Sequence, residues 1–181
     1  MAKLISNTYG EALFGLALEK GLVDELMEEI RDLQEILSEN PEFSRLMNHP
    51  DISRQEKLSV LKEVFEGRLS DELYGFLRVL IEKGRYGAME DIFADYVRRF
   101  REHQRIGVAY ITSAIALDER QQEKIERRLL ETTPYEKIEL HLTTDASLIG
   151  GLVIRIGDRV VDSSIRTRLE GLSRQLMRIQ I

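Results

Sequence analysis

The chain has 181 residues, 43% of them apolar, with no cysteine, 26 basic and 32 acidic side chains, and a net charge of −6. The apolar share supports a buried core and excludes a disordered chain, and the length allows one large domain or two small ones. The missing cysteines exclude disulfides, thiolate catalysis and cysteine-bound metals, and the acidic balance argues against a nucleic-acid binder, which carries a basic stripe.

In chain order, the segment from Met1 to Leu18 contains Glu11 and no small-residue cleavage site. It reads as neither a secretory signal nor an arginine-rich transit peptide. Ile5, Tyr9, Ala12, Leu13 and Leu16 recur there at the helical period, while Phe14, Ala17 and Leu18 widen the stripe. Gly21 is the expected stop. A second helix over Leu22 to Ser38 places Leu26, Ile30, Leu33 and Leu37 on one side. Asn40-Pro41 reads as an N-cap followed by proline at the first helical position. The short third helix it opens ends near His49-Pro50. Ser53 and Glu56 form a capping-box pattern for a fourth helix, which runs to about Phe65. Gly67 breaks it, Ser70 caps a fifth helix over Asp71 to Lys83, and Gly84 ends that one. The sixth runs from about Tyr86 to Gln104, with Ile92, Phe93, Tyr96, Val97 and Phe100 as its apolar face.

Near Arg105 the apolar period changes from 3.6 to 2. Val108–Ala114 has strand composition, and Asp118 and Gln121 cap a helix with Ile125, Leu129 and Leu130 inward. Ile138, Leu140 and Leu142 alternate in a second strand, and Leu152, Ile154 and Ile156 in a third. Gly157-Asp158 is a two-residue hairpin turn leading to Val160 and Val161. A last helix, from near Asp162 or Ser163, lines up Ile165, Leu169, Leu172, Leu176 and Ile179. No apolar run approaches the roughly 20 residues that span a bilayer, so no direct membrane insertion is expected. The expected fold is mainly α, with a six-helix bundle over 1–105 followed by a small α+β domain of order β-α-β-β-β-α over 106–181. Charge divides at the same place. Residues 1–105 carry 15 basic and 21 acidic side chains and residues 106–181 carry 11 of each, so the whole deficit lies in the bundle.

The stretch SLIGGLVIRIGDRVVDSSIRTRLEGL (147–172) poses a question of chemistry, because glycine-rich turns beside strands often cradle phosphates. Neither the P-loop nor the dinucleotide spacing is present, and Gly150-Gly151 precedes a strand rather than a helix N-terminus. His49, His103 and His141 are far apart and follow no metal-ligand spacing. Ser147 and Ser163 lack the nucleophile-elbow glycines. Arg98, Arg99, Arg101 and Arg105 cluster where the dipole of the sixth helix favours cations. No catalytic set, metal or cofactor is expected, and the residues point to a protein that binds proteins. The first helix is apolar over much of its circumference. So is the fifth, with Leu73, Tyr74, Phe76, Leu77, Val79, Leu80 and Ile81. Such helices are either central in a core or pack one side on a partner, and the pattern leaves both open.

The segment IGGLVIRIGDRVVDSSIRTRLEGL resembles the C-terminal signature of the δ subunits of F-type ATP synthases, relatives of the mitochondrial oligomycin-sensitivity-conferring protein. Gly150, Gly151, Gly157, Asp158, Val160, Val161, Asp162, Ile165, Arg166, Arg168 and Leu169 carry that likeness. YGEALFGLA, HPDISRQEK and LRVLIEKGR resemble three further segments of the family, so the similarity covers the whole chain. The resemblance implies a non-catalytic stator subunit on top of the α/β hexamer. Its bundle would receive the N-terminal helix of an α subunit in a groove between the first and fifth helices. Tyr9, Ala12, Leu13, Leu77 and Leu80 are the candidate lining residues. The C-terminal domain would hold the end of the peripheral-stalk b subunits. The location implied is peripheral, on the cytoplasmic face of a bacterial plasma membrane, with no nucleic acid bound. The alternatives are a soluble helical adaptor unrelated to the synthase and an enzyme with an unrecognised site.

Overall fold

The computed structural model describes residues 2–179, and the chain divides into two compact units, one ending at Phe100 and the other beginning at Arg101. The first unit is helical. Its elements are α1 (Ala2–Lys20), α2 (Val23–Glu39), α3 (Pro41–Asn48), α4 (Arg54–Phe65), α5 (Asp71–Glu82) and α6 (Met89–His103). A 3₁₀ turn over Tyr86–Ala88 precedes α6, where a single continuous helix was expected.

Local chemistry sets most of these ends. Gly21 and Gly84 take φ of 72° and 64°, which lets the chain close Schellman motifs. Leu22 N–H donates to the Ala17 carbonyl at 2.9 Å, and Arg85 N–H to that of Leu80 at 2.7 Å. The Ser53–Glu56 capping box is formed in both directions, and Ser70 Oγ accepts from Leu73 N–H. Asn40 departs from expectation. Its side chain makes no N-cap bond; its amide instead donates to the Ile36 carbonyl at 2.8 Å, closing the end of α2.

Leu13, Leu26, Ile30, Leu33, Leu61, Leu73, Leu77, Leu80, Ile92 and Phe93 fill the core of this unit. Tyr96 lies among them and donates its hydroxyl to the Val23 carbonyl at 3.0 Å. Burial pushes its pKa up to about 12. Among the described residues of this unit, one buried side chain is ionic. Asp95 accepts from Arg99 Nε at 2.7 Å and from Arg98, and Gly10 packs so closely on it that a Cβ there would lie 2.4 Å from its Oδ2.

Burial alone would raise the Asp95 carboxyl, but the hydrogen bonds from Arg99 and Arg98 outweigh it and hold its pKa below the ordinary value. A depressed folded-state pKa gives stability that is complete above the unfolded value, about 3.9, and is lost as pH falls through the folded one. Asp95→Asn is therefore expected to cost about 2 kcal/mol at pH 7. The gap to the parent should narrow in melts below pH 3; an equal gap at both pH values would contradict the ionic account.

The second unit holds a four-stranded sheet of order β2-β1-β3-β4, made of β1 (Ile106–Ser113), β2 (Lys137–Thr144), β3 (Leu152–Ile156) and β4 (Arg159–Asp162). β1 and β2 are parallel and joined by α7 (Glu119–Thr132), while β3 pairs antiparallel with both β1 and β4. The Asp118–Gln121 capping box starts α7, whose Ile125, Leu129 and Leu130 pack on Ala109, Ile138, Leu140, Ile154 and Ile156. The alternation expected in β2 fades towards its end, where Leu142 is exposed. Gly157 has φ of 55° at the first of the two residues linking Ile156 to Arg159, which are paired. The last helix, α8 (Ile165–Ile179), begins later than expected. Asp162 is the last residue of β4, and Ser164 Oγ accepts from Thr167 N–H in the first turn of α8. The stripe of Ile165, Leu169, Leu172 and Leu176 is open to solvent, at 42%, 51%, 56% and 65% exposure. The Ile179 side chain, expected to extend the stripe, lies outside the described residues.

Candidate functional site

A cleft of about 570 Å³ lies between α1 and α5. Tyr9, Ala12, Leu13 and Leu16 form its α1 wall, and Glu72, Gly75, Phe76 and Val79 its α5 wall. Tyr9 and Phe76 meet edge to face, centroids 6.4 Å apart. One end is polar. Lys20 Nζ donates to Glu72 Oε1 at 2.7 Å, a pairing that raises the lysine pKa and lowers that of the glutamate. Ala12 is exposed, and among the described residues nothing outside the neighbouring residues and backbone of α5 lies within 4 Å of a Cβ built on Gly75. Backbone can therefore be approached closely from both walls, as a docking helix requires.

Three of the five expected lining residues, Tyr9, Ala12 and Leu13, stand in this cleft, with Leu13 forming its buried floor. Leu77 and Leu80 do not. They are 2% and 0% exposed and belong to the bundle core. The reason is angular. α5 carries two apolar stripes about a quarter turn apart, and Leu73, Leu77 and Leu80 form the inner one. The outer stripe, Phe76 and Val79 with Glu72 and Gly75 between and beside them, faces the cleft. Its spacing was visible in the sequence, but the choice between stripes was not.

The signature residues of the second unit hold a turn together. Gly151 has φ of 75°, and a Cβ there would lie 2.4 Å from the Ser163 carbonyl oxygen. A Cβ on Gly150 would meet the Ile165 side chain at 2.6 Å. Hydrogen bonds run from Ile165 N–H to the Gly150 carbonyl and from Ser163 N–H to that of Leu152, so the entry to β3 is clamped to the exit from β4. Asp162 accepts from Ser164 N–H at 2.8 Å and from the Thr167 hydroxyl at 2.7 Å, bonds that lower its carboxyl pKa. Arg166 reaches Ser147 Oγ at 3.3 Å and pairs with Glu170 at 3.4 Å. Asp158 sits exposed at the hairpin turn, and Arg168 is exposed on α8. Gly150 and Gly151 thus serve a close backbone crossing.

The arginines near the end of α6 face carboxylates: Arg98 and Arg99 pair with Asp95, Arg101 with Glu139 at 2.6 Å, and Arg105 with Glu136 at 3.1 Å. His141 stacks on Tyr110 in the sheet, and His49 follows α3. Among the described residues no group of three His, Asp or Glu side chains is placed to hold a metal, and no helix is long and apolar enough to cross a membrane.

Comparison with known proteins points one way. The model of the family described as ATP synthase delta (OSCP) subunit matches residues 5–176. The chain is 48% identical over 181 residues, all of both chains, to the ATP synthase subunit delta of Lachnoclostridium phytofermentans. It is 34% identical over 165 residues, 91% of each chain, to that of Trichodesmium erythraeum. The fold matches a chain in the solved structure of the Toxoplasma gondii mitochondrial ATP synthase hexamer with TM-score 0.69 at 22% identity, covering 95% of this chain and 97% of that one. An all-helical first unit with an open α1–α5 cleft, a glycine-clamped α+β second unit and these full-length similarities together show that the chain belongs to the ATP synthase delta (OSCP) subunit family.

Proposed function

We propose that this subunit acts as a non-catalytic stator connector, with each unit holding a different partner. As a family member the chain is a peripheral-stalk component of an F-type ATP synthase. In this reading the first unit binds the N-terminal helix of an α subunit in the α1–α5 cleft. The second unit holds the end of the stalk b subunits, and the complex places the chain at the cytoplasmic face of a bacterial plasma membrane. The observation that carries the reading is the cleft itself, a mostly apolar groove with small residues on both walls and its ionic pair kept to one end. A static connector must resist rotor torque, so it needs extended apolar contacts with slow release rather than reactive groups. The open stripe on α8 offers the second unit such a surface.

The test is co-purification. The tagged chain is expected to bring down α, β and a membrane-anchored coiled-coil subunit. Recovery of the folded chain without them would overturn the connector reading. The isolated chain is also expected to show no saturable heat of ATP binding in calorimetry; stoichiometric binding would point instead to an enzyme.

A further inference from the structure

The helical unit holds the whole negative charge of the chain, yet the charged residues lining one of its cavities are both basic. This pocket, of about 220 Å³, lies where the end of α3 and the start of α4 meet the end of α5. Met47, Ile52 and Ile81 give it apolar walls, and Asn48, Arg54 and Lys57 bring polar groups to it. It shares no lining residue with the α1–α5 cleft. Gly84, also in the lining, takes φ of 64°, and a Cβ there would lie 4.0 Å from Arg54 Nη2, so the guanidinium sits over a stretch of bare backbone.

Arg54 and Lys57 are three residues apart on α4, a spacing at which like charges repel. Among the described residues neither forms an ion pair. The neighbouring acids are engaged elsewhere: Asp51 faces His49, Glu56 closes the Ser53 capping box, and Glu82 pairs with Arg78. Lys57 Nζ donates to the His49 carbonyl at 2.7 Å, which fixes the ammonium in place and leaves it two further donors. The five guanidinium N–H groups of Arg54 make no hydrogen bond among the described residues. Two uncompensated cations, one of them anchored, thus converge on a space that holds no acid.

We propose that this pocket binds a small tetrahedral oxyanion of the inorganic phosphate class. The guanidinium fork presents paired donors to two oxygens of such an ion, and the lysine supplies a point charge to a third. Size narrows the choice. Pockets for drug-sized ligands hold about 300–1,000 Å³, so this one admits a compact ion and excludes a nucleotide. The bound ion would relieve the repulsion between the two cations and stabilise the folded chain by mass action. The site is independent of the connector reading.

The experiment titrates the full chain with inorganic phosphate at fixed ionic strength, followed by phosphorus NMR. Saturable binding of one ion per chain is expected. Arg54→Gln and Lys57→Gln should each weaken it about ten-fold, the loss of one charge-assisted contact. Melting in chloride shows that the variants are folded, and phosphate should raise the melting temperature of the parent more than theirs, because its general salting effect is common to all three. Binding without saturation, or equal binding by parent and variants, overturns the proposal. Displacement of phosphate by acetate or ATP at equal concentration overturns the choice of a small tetrahedral ion. Variants that melt lower in chloride, with no specific phosphate response in the parent, would reduce the two cations to caps on the carbonyl ends of α3 and α5, and the site would fall. None of these outcomes bears on co-purification with α, β and the stalk.

Discussion

Ala12→Asp should remove most of the affinity for a peptide from an α-subunit N-terminus, by a few kcal/mol, while leaving the fold nearly as stable as before. Ala12 is exposed on the α1 wall of the cleft, so the new carboxylate stays hydrated until a partner helix covers it. In the complex it would be buried without a cation opposite, and the cost falls on binding. In the free chain the change costs only helix propensity, roughly half a kcal/mol. Leu80→Ala provides the contrast. That side chain is fully buried in the bundle core, and its truncation should lower stability by about 2–5 kcal/mol. Melting and peptide affinity measured on both variants separate the two roles. A collapsed Ala12→Asp fold, or unchanged peptide affinity, would remove the α1–α5 cleft as the docking site.

Gly151→Ala should destabilise the second unit by about 3 kcal/mol or more. Two costs combine there. An L-residue at φ of 75° is strained by roughly 1–2 kcal/mol, and the added methyl would press on the Ser163 carbonyl oxygen at 2.4 Å. That oxygen has little room to yield, because Ser163 donates from both its N–H and its hydroxyl to the Leu152 carbonyl, at 3.0 and 2.9 Å. Gly157→Ala shares the positive φ but meets nothing closer than the Tyr135 hydroxyl at 3.8 Å, and should cost only about 1 kcal/mol. Denaturant unfolding of the two variants measures the difference. Equal losses would mean that backbone conformation alone, and not the crossing of β3 past β4, requires glycine at 151.

The family was legible in the glycines, aspartate and arginines of the last third of the chain, although their physical task was not. Read as a line, Gly150-Gly151 resembles a phosphate loop lacking its other parts. Only the fold shows a crossing with Ser163 and Ile165, residues twelve to fifteen positions away. The candidate site divides in the same manner. The apolar positions of α5 can be counted in the sequence, yet the candidate lining residues Leu77 and Leu80 lie in the core, and Phe76 and Val79 face the cleft in their place.

What the sequence determined by itself was everything governed by neighbours within a turn or two. Positive-φ glycines ended α1 and α5, serine and aspartate with Glu56 and Gln121 three residues on opened α4 and α7, and a Gly-Asp pair turned the β3–β4 hairpin. These devices close hydrogen bonds inside a short window, so their spacing is their geometry. The tertiary structure alone decided which apolar faces are covered. Leu77 and Val79 are alike in hydrophobicity and period, and burial depends on whether another helix arrives over them, which no local pattern encodes. The same holds for α8. Its stripe has the form of a core-facing helix, and it remains exposed among the described residues of the second unit.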